Sequence, residues 1–138
     1  AAGIVVNMAN PGLNTGEAVG DTFADDVENL WGSDFDDVLT GSAIGGQVYG
    51  FAGNDRLIGQ NGNDVFYGGL GSDTITTGGG ADDIFFLRFD GAANEGGDTI
   101  TDFQSGVDRI TVSRFFFGFG NIGGPAAALT SANAGFVA

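Results

Sequence analysis

A nine-residue pattern repeats six times without interruption between residues 32 and 85. Cut in that phase, the segment reads GSDFDDVLT, GSAIGGQVY, GFAGNDRLI, GQNGNDVFY, GGLGSDTIT and TGGGADDIF. Glycine occupies position one in five frames and position four in the last four, and aspartate occupies position six in five. Position eight is always apolar, with Leu39, Val48, Leu57, Phe66, Ile75 and Ile84. A fixed period of this kind predicts a solenoid, because each repeat can bury its apolar residue only against its neighbours.

The composition of one frame predicts a turn followed by a short strand. Glycine together with Asn or Asp suits a tight turn, and the last three residues suit a strand whose middle side chain points inward. Successive frames then turn at opposite edges, so two frames make one coil of 18 residues, and adjacent coils pair as parallel strands about 4.8 Å apart. One edge carries Asp37, Asp55 and Asp73, and the other carries Gly46, Asp64 and Asp82. The predicted fold is an all-β solenoid with two sheets.

Three regions follow from the extent of the repeat. Residues 1–31 contain a strand-like run from Ile4 to Met8 and a lead-in coil, and residues 32–85 are the repeats themselves. Residues 86–138 form a closing segment that loses the nine-residue phase but keeps two echoes of it, at 97–100 and 106–110. We expect Asp102 and Phe103 to belong to the closing structure, and a phenylalanine cluster to cover the last coil, because an uncovered solenoid end is an aggregation edge. That cluster comprises Phe115, Phe116, Phe117 and Phe119.

The charge and the missing residue types exclude several functions. The chain has 18 acidic residues against 4 basic ones, a net charge of −14, so it repels phosphate backbones and anionic membrane surfaces. We therefore expect no nucleic-acid partner, and no membrane insertion either, since no apolar run approaches the roughly 20 residues that a spanning helix needs. With no histidine and no cysteine, zinc-protease sites, Ser-His-Asp triads, disulfides and thiolate metal sites are excluded. Because the carboxylates recur in a regular ladder rather than as one singular pair, we expect no enzymatic activity.

The stacked aspartates predict a bound cation. Carboxylates about 5 Å apart repel one another by several tenths of a kcal/mol even with near-aqueous screening, so a folded ladder needs positive charge between them. Ligands made only of oxygen select a hard ion, and glycine turns offer carbonyl oxygens at irregular angles that suit calcium better than magnesium. The alternative, that each aspartate merely closes an Asx turn, explains one such residue more easily than five in phase.

Three of the frames and the two flanking segments resemble those of a known family. The frames GGLGSDTIT, GQNGNDVFY and GFAGNDRLI are similar to the glycine-rich nonapeptide of RTX (repeats-in-toxin) proteins, a calcium-binding repeat. The lead-in GEAVGDTFADDVENLWGSDFDDVLTG and the closing segment GGDTITDFQSGVDRITVS resemble the flanks of such blocks in large secreted bacterial proteins, and the resemblance covers about residues 3–113. It implies a parallel β-roll of 18 residues per coil, with calcium ions in the turns and capping strands at both ends.

The resemblance also implies which residues bind calcium. In the family an ion lies between stacked loops, held by both position-six carboxylates, by the carbonyls of positions two and four of the lower loop, and by those of positions one and three of the upper loop. One site would use Ser33, Phe35, Asp37, Gly50, Ala52 and Asp55. A second would use Phe51, Gly53, Asp55, Gly68, Leu70 and Asp73. A third would use Gln60, Gly62, Asp64, Thr77, Gly79 and Asp82. A fourth would join Gly78, Gly80 and Asp82 to Asp98, and Asp90 would serve the loop above Asp73.

Two departures from the repeat bear on these sites. Gly46 stands where column six otherwise has aspartate, so the site that pairs this loop with Asp64 is expected to be weak or empty. Phe35 and Ile44 replace position-four glycines, which predicts strain in their turns and a less complete first site.

Three aromatic residues in or beside the repeats have two interpretations each. Trp31, beside Leu30 at the start of the repeats, could stack on a carbohydrate, although a capping role is the more common one. Tyr49 and Tyr67 share an outward column two frames apart, where mutual packing is favoured over a binding platform.

Together these features predict a secreted bacterial calcium-binding module that folds when it meets extracellular calcium. The first residues, AAGIVVNMANPG, have neither a basic n-region nor a long apolar core, and the resemblance is to the terminal part of type I secretion substrates, which lack an N-terminal signal. The lead-in favours a structural or adhesive part of a bacterial surface or fibre protein. The alternatives are an accessory calcium-binding or secretion domain of a secreted metalloprotease, lipase or polysaccharide-modifying enzyme, and a free-standing calcium binder. Expected partners are calcium ions, further copies stacked end to end, a cell-surface polysaccharide, and the type I secretion apparatus if the full C-terminus is present.

Overall fold

The computed structural model describes residues 2–23, 29–86 and 97–112. In these segments the chain forms ten short strands and two single-turn 3₁₀ helices, Pro11–Leu13 and Gly16–Ala18. The strands are β1 (Val5–Asn7), β2 (Asn29–Trp31), β3 (Val38–Thr40), β4 (Gln47–Ala52), β5 (Arg56–Ile58), β6 (Val65–Leu70), β7 (Thr74–Thr76), β8 (Asp83–Phe86), β9 (Thr99–Ile100) and β10 (Arg109–Val112). Within these segments, no helix has the length and apolar character needed to span a bilayer.

The ten strands form two parallel sheets of five strands each. Sheet A has the order β1-β3-β5-β7-β9, and sheet B has the order β10-β8-β6-β4-β2. The chain alternates between the sheets, so the strand in the opposite sheet provides the crossover that a parallel pair requires. Within the repeats each strand residue pairs with the equivalent residue of the next coil: Val38 pairs with Arg56, and Arg56 pairs with Thr74. The all-β, two-sheet parallel solenoid predicted from the nine-residue period is confirmed.

The hydrophobic core is a column of position-eight side chains between the two sheets. All six of these residues are at most 1% exposed, and Phe66 is the largest of them. Val6 and Leu30 extend the column at one end, while Ile100 and Ile110 pack against it at the other. Burying one such side chain stabilises the fold by about 1.5–3 kcal/mol. Since each coil buries only two, ordering its backbone needs a further source of stability, and the turns are where it must lie.

The sheets continue on both sides of the regular repeats. The predicted strand near Ile4–Met8 is β1, which pairs with β3 through Val6 and Leu39. Both echoes of the repeat beyond residue 86 are strands: β9 pairs with β7 through Ile100 and Ile75, and β10 pairs with β8 over four residues. One further coil therefore follows the last regular frame.

Some sequence-based expectations concern residues outside the described segments. These are the phenylalanine cluster in the tail, comprising Phe115, Phe116, Phe117 and Phe119, and the proposed role of Asp90 above Asp73.

Candidate metal centre

The carboxylates of one edge form a continuous ladder along the solenoid. The backbone N–H of Asp37 donates to Asp55 Oδ1 at 2.9 Å, and the N–H of Asp55 donates to Asp73 Oδ1 at 2.9 Å. The N–H of Asp73 donates in turn to Asp98 Oδ1 at 2.9 Å. Each side chain therefore reaches from its own coil to the coil below, which places successive position-six carboxylates in one column. We call this column the first ladder.

The second ladder runs along the opposite edge. The N–H of Asp64 donates to Asp82 Oδ1 at 2.8 Å, and the N–H of Asp82 donates to Asp108 Oδ1 at 3.2 Å. One coil below Asp64, the corresponding residue is Gly46, whose carbonyl accepts the N–H of Val65 at 2.8 Å. This edge thus has carboxylates at three successive levels and a glycine at the level beneath them.

Four carboxylates in the two ladders bury an oxygen that has no hydrogen-bond partner. The atoms are Asp55 Oδ2, Asp64 Oδ1, Asp73 Oδ2 and Asp82 Oδ2. All four residues are at most 2% exposed. A buried acceptor left unpaired costs about 1–3 kcal/mol, and more when it is charged. Four such atoms in two columns are therefore a large local cost unless a cation binds them.

Burial also changes the ionisation of these groups. It raises the pKa of Asp55 from 3.8 to about 7; the N–H of Asp37 opposes the increase, and the nearby carboxylates add to it. Burial raises the pKa of Asp64 to about 6 in the same way, and the pKa values of Asp73 and Asp82 are also raised by burial. Without a cation, the ladders are thus strained by their own negative charge. A divalent ion between the carboxylates favours their ionised form.

The position-one glycines lie where carboxylate and carbonyl oxygens converge. A Cβ at Gly50 would lie less than 3.0 Å from both Asp55 Oδ2 and the carbonyl oxygen of Gly68, which belongs to the coil above. A Cβ at Gly59 would likewise lie less than 3.0 Å from Asp64 Oδ2 and the carbonyl of Thr77. Each glycine therefore leaves a small space that is lined by oxygen atoms from two successive coils.

The carbonyls of positions two and four point from one loop towards the next. On the first edge, the carbonyl oxygen of Phe51 faces Gly69 and that of Gly53 faces Gly71, whose φ of 126° favours glycine. On the second edge, the carbonyls of Gln60 and Gly62 face Gly78 and Gly80 in the same manner. The space between stacked loops is thus lined with main-chain oxygens as well as carboxylates.

This donor set fits a hard cation with flexible coordination. Within the described residues, no group of three or more acidic side chains is arranged to hold a metal ion by itself. Any ion between two coils must therefore take one or two carboxylates and complete its shell with carbonyl oxygens. Calcium accepts six to eight such oxygens at irregular angles, whereas magnesium requires a strict octahedron.

The structure brings together the residues predicted for the second and third sites. In the second group, one intercoil space is lined by the carboxylates of Asp55 and Asp73 and by the carbonyls of Phe51, Gly53 and Gly68. The carbonyl of Leu70 accepts the N–H of Gly53 at 2.9 Å. In the third group, the intercoil space is lined by the carboxylates of Asp64 and Asp82 and by the carbonyls of Gln60, Gly62 and Thr77. The N–H of Gly79 donates to the carbonyl of Gln60 at 2.6 Å.

The first predicted site differs because its lower carboxylate already has partners. Asp37 Oδ1 accepts the N–H of Ile4 at 2.7 Å and the hydroxyl of Ser33 at 2.9 Å, and Oδ2 accepts the N–H of Ser33 at 2.5 Å. Asp37 is buried, but neither of its oxygens is unpaired. The carbonyl of Phe35 still faces Gly53 of the next coil, and Ala52 lies at the end of β4.

The grouping predicted for the fourth site is wrong. Asp98 lies above Asp73 on the first ladder, not above Asp82 with Gly78 and Gly80 on the second. The residue above Asp82 is Asp108. The loop that contains it also contacts Gly78, whose N–H donates to Asp102 Oδ2 at 2.9 Å and whose carbonyl accepts Gln104 Nε2 at 3.1 Å. The 25 residues between Asp73 and Asp98 replace the usual 18, and this longer connection hid the correct pairing.

Sequence reasoning missed Asp108 as a ladder residue, although a signal was present. The segment FQSGVDRIT keeps glycine at position four, aspartate at position six and isoleucine at position eight. Its loop also keeps the internal bond of the repeat, because the N–H of Gln104 donates to Asp108 Oδ2 as the N–H of Ser33 does to Asp37 Oδ2. The segment begins eight residues later than the regular nine-residue phase would give, so a frame shifted by eight residues aligns Asp108 with Asp82.

A second polar column was also missed, at position five. The N–H of Asn54 donates to Asp36 Oδ1 at 2.7 Å, the N–H of Ser72 donates to Asn54 Oδ1 at 2.9 Å, and the N–H of Gly97 donates to Ser72 Oγ at 3.1 Å. These bonds join the same coils as the first ladder but involve no buried carboxylate. They hold neighbouring loops in register by hydrogen bonding alone.

The predicted backbone strain occurs at a different residue. Neither Phe35 nor Ile44 has a positive φ; the described non-glycine residue that does is Phe51, at 78°. Phe51 occupies position two, directly below Gly69 at φ 107°. Phe35 and Ile44 themselves avoid the left-handed region, which Gly45 adopts in the second turn at φ 90°. Each turn also has a serine at position two whose hydroxyl accepts the N–H of the position-four residue.

Two parallel sheets joined by oxygen-lined turns define the chain as a β-roll module with metal-binding loops. The comparison with protein families agrees: residues 24–43 and 49–84 match the model for the RTX calcium-binding nonapeptide repeat, in four copies. This region therefore belongs to the RTX calcium-binding repeats, and calcium is the ion that they bind. The match is interrupted where Ile44 and Gly46 depart from the motif. Among curated proteins, none matches the chain.

Proposed function

We propose that this chain is a secreted module that folds on binding extracellular calcium and forms a structural or adhesive part of a bacterial surface or fibre protein. The observation that carries the proposal is the set of buried, unpaired carboxylate oxygens at Asp55, Asp64, Asp73 and Asp82. An acidic β-roll with a net charge of −14 is poorly stable alone, and cations between its coils would remove both the repulsion and the unpaired acceptors.

The ions would occupy the spaces between stacked loops. The first-ladder ligands would be Ser33, Phe35, Asp37, Gly50, Ala52 and Asp55 in one space, and Phe51, Gly53, Asp55, Gly68, Leu70 and Asp73 in the next. The second-ladder ligands would be Gln60, Gly62, Asp64, Thr77, Gly79 and Asp82. The first of these spaces should bind most weakly, because Ser33 already satisfies Asp37.

The placement of Asp98 and Asp108 supports two further sites in place of the one first predicted. Asp73 with Asp98 would bind an ion on the first ladder, and Asp82 with Asp108 would bind one on the second, with carbonyls of Gly78 and Gly80 nearby. Asp55, Asp73 and Asp82 would each be shared by two ions. Sharing makes binding cooperative along a ladder, because one ion orients the carboxylate that the next ion requires.

Calcium-dependent folding accounts for how such a chain could leave a cell and function outside it. Extracellular calcium modules bind with Kd of about 10⁻⁴–10⁻³ M, far above cytosolic calcium, so the chain would stay expanded inside and pass unfolded through a type I secretion apparatus. Outside, one site at ten times its Kd contributes about 1.4 kcal/mol, and several sites together would decide the folding equilibrium.

Circular dichroism with and without calcium tests the proposal. The chain in excess chelator should give the spectrum of a disordered polypeptide, and millimolar calcium should convert it to β-structure. Magnesium at the same concentration and ionic strength is the matched control, and it should restore little structure because it demands octahedral geometry. A β-rich spectrum that persists unchanged in chelator would contradict the proposal.

A further inference from the structure

An unbroken row of aromatic side chains runs along the outer face of sheet B. The row consists of Trp31, Tyr49, Tyr67 and Phe85, one from each successive coil. Neighbouring ring centroids are 5.9, 4.5 and 5.0 Å apart. The position-nine residues of sheet A contrast with them, since Thr40, Ile58 and Thr76 carry no ring. Aromatic surface is therefore concentrated on one face of the solenoid.

A fifth ring joins this row at the cost of backbone strain. Phe51 adopts φ 78°, while the residue above it in the same position is Gly69. Its ring lies 6.1 Å from that of Trp31 and 6.3 Å from that of Tyr49. Nevertheless 44% of Phe51 remains exposed, so core packing does not explain the strain. Strained residues persist where the surroundings or a function require them, and here the result is a larger exposed aromatic surface.

Trp31 offers its indole to solvent at the end of the row. It is 65% exposed. The rings of Tyr49 and Phe51 meet it at 75° and 81°, so neither of them covers its face by stacking. The rings of Tyr49 and Tyr67, by contrast, stack on each other with an interplanar angle of 1°. Trp31 is thus the ring of this row that is best placed to receive a flat apolar surface from outside.

Among the described residues, the outward column beside the row carries no net charge. The adjacent outward column contains Asn29, Gln47 and Val65, and its two charged members, Asp83 and Arg109, form an ion pair at 2.6 Å. The hydroxyl of Tyr49 donates to Gln47 Oε1, so amide and phenol groups lie beside the rings. In a chain of net charge −14, the described part of this face presents aromatic and amide groups, and its two opposite charges balance each other.

We propose that the outer face of sheet B around Trp31, Tyr49 and Phe51 binds a neutral polysaccharide. A sugar ring has an apolar C–H face that can stack on an indole, and its hydroxyls can bond to neighbouring amides and phenols. The proposed calcium ions would offset only part of the net charge of −14. The negative charge that remains disfavours anionic polymers, and it also disfavours a second copy of the chain, which would bring the same charge to the interface. This ligand class rests on the proposed calcium-folded surface module and gives that module a partner.

The test uses the fact that Trp31 is the chain's one tryptophan. In saturating calcium, the full chain would be screened on an array of neutral glucan, mannan, galactan and chitin oligosaccharides, with alginate and pectin oligosaccharides as anionic controls. Each neutral sugar retained would then be titrated while tryptophan emission is recorded. We expect binding to change the emission, Trp31→Ala to weaken retention at least tenfold, and Trp31→Phe to restore part of it. Val19→Ala is the matched control, because Val19 is 67% exposed and ends the 3₁₀ helix Gly16–Ala18, which contacts β1 of sheet A rather than sheet B.

Several outcomes would overturn the inference. They are retention of no neutral sugar, binding that Trp31→Ala leaves intact, stronger binding to the anionic oligosaccharides, and a calcium-dependent dimer that Trp31→Ala dissociates. Circular dichroism of each variant, recorded in calcium and in chelator, distinguishes failure of the sugar site from failure of the proposed function. A chain that folds with calcium but binds no sugar contradicts only the sugar site, whereas one that ignores calcium contradicts the proposed function.

Discussion

At the scale of single residues, three ladder aspartates, Asp55, Asp73 and Asp82, use their two oxygens for different tasks. One oxygen of Asp55 accepts the N–H of Asp37 at 2.9 Å, which joins two coils, while the other is buried without a partner. The first contact is complete without metal, whereas the second oxygen needs a cation. A buried carboxylate can therefore belong to a β-sheet protein here only because it is half hydrogen-bonded and half available for an ion.

Replacing Asp55 should have a larger effect on calcium stoichiometry than replacing any residue outside column six. Asp55 would be shared between two ions, so Asp55→Ala should lose about two bound calcium ions in an isothermal titration. Asp36→Ala is the control, because Asp36 is exposed and accepts the N–H of Asn54 at 2.7 Å. It should lower stability by about 1 kcal/mol at most and remove no ion. Equal losses of calcium from both variants would show that the ladder has been assigned to the wrong column.

Protons should compete with calcium for the same oxygens. In the metal-free fold, burial raises the pKa of Asp55 from 3.8 to about 7 and that of Asp64 to about 6. The fold then binds more protons than the unfolded chain between about pH 4 and pH 7, so its stability without calcium is highest at low pH and falls as the pH rises through this window. We expect chelated protein to have more β-structure at pH 5 than at pH 8.

The same proton competition predicts calcium affinity that decreases as the pH falls from 8 to 5. Asp55→Asn keeps the shape of the side chain but does not titrate, so it should reduce the pH dependence of the chelated form. Asp34→Asn, at an exposed position of the first frame, is the control and should have a smaller effect on the chelated form. A chelated wild-type chain that is equally disordered at both pH values would argue against the raised pKa values.

At the scale of the loop, the second ladder shows what one missing side chain does. Gly46 lies one coil below Asp64, whose Oδ1 is buried and unpaired. Gly46→Asp should add the absent carboxylate, giving about one more bound calcium ion and a melting temperature several degrees higher in calcium. In chelator the same change should lower stability slightly, because it adds a like charge to the column.

A matched control for this substitution is available on the same edge. Ala81 is exposed at position five, so Ala81→Asp adds the same charge outside the column of carboxylates. It should leave the calcium stoichiometry as it is. If calorimetry gives the same stoichiometry for Gly46→Asp and the wild-type chain, then the loop at residue 46 does not form half of a calcium site.

At the scale of the whole molecule, the balance is between a thin core and a high charge. Two fully buried apolar side chains per coil do not order 18 residues against a net charge of −14. Small-angle scattering should therefore show a large contraction on adding calcium, from a radius of gyration near the roughly 38 Å of an unfolded chain of this length towards the roughly 14 Å of a folded one. Sodium chloride at equal ionic strength is the control, and compaction by salt alone would mean that screening rather than specific binding stabilises the fold.

The sequence by itself determined the solenoid, its core column and most of each ladder. A nine-residue period requires that every second frame repeat the same environment, so Asp37, Asp55 and Asp73 could be aligned from their spacing alone. The position-eight column followed for the same reason, because alternation along a strand places only Leu57, Ile75 and their equivalents inside. Regular spacing converts positions in the chain directly into positions in space.

Only the tertiary structure decided how the solenoid continues and which oxygens are left unpaired. After residue 86 the spacing changes to 25 residues for Asp98 and 26 for Asp108, and a longer connection can lead to either sheet. Strand pairing assigns Asp98 to the first ladder and Asp108 to the second, because β9 joins β7 and β10 joins β8. Likewise, the unpaired Oδ2 of Asp55 and the satisfied carboxylate of Asp37 share a motif but differ in neighbours. The N–H and hydroxyl of Ser33 bond to Asp37, whereas the corresponding residue in the frame of Asp55 is Phe51, which has no hydroxyl. Hydrogen bonds made by such non-periodic neighbours depend on three-dimensional packing, which the repeat does not encode.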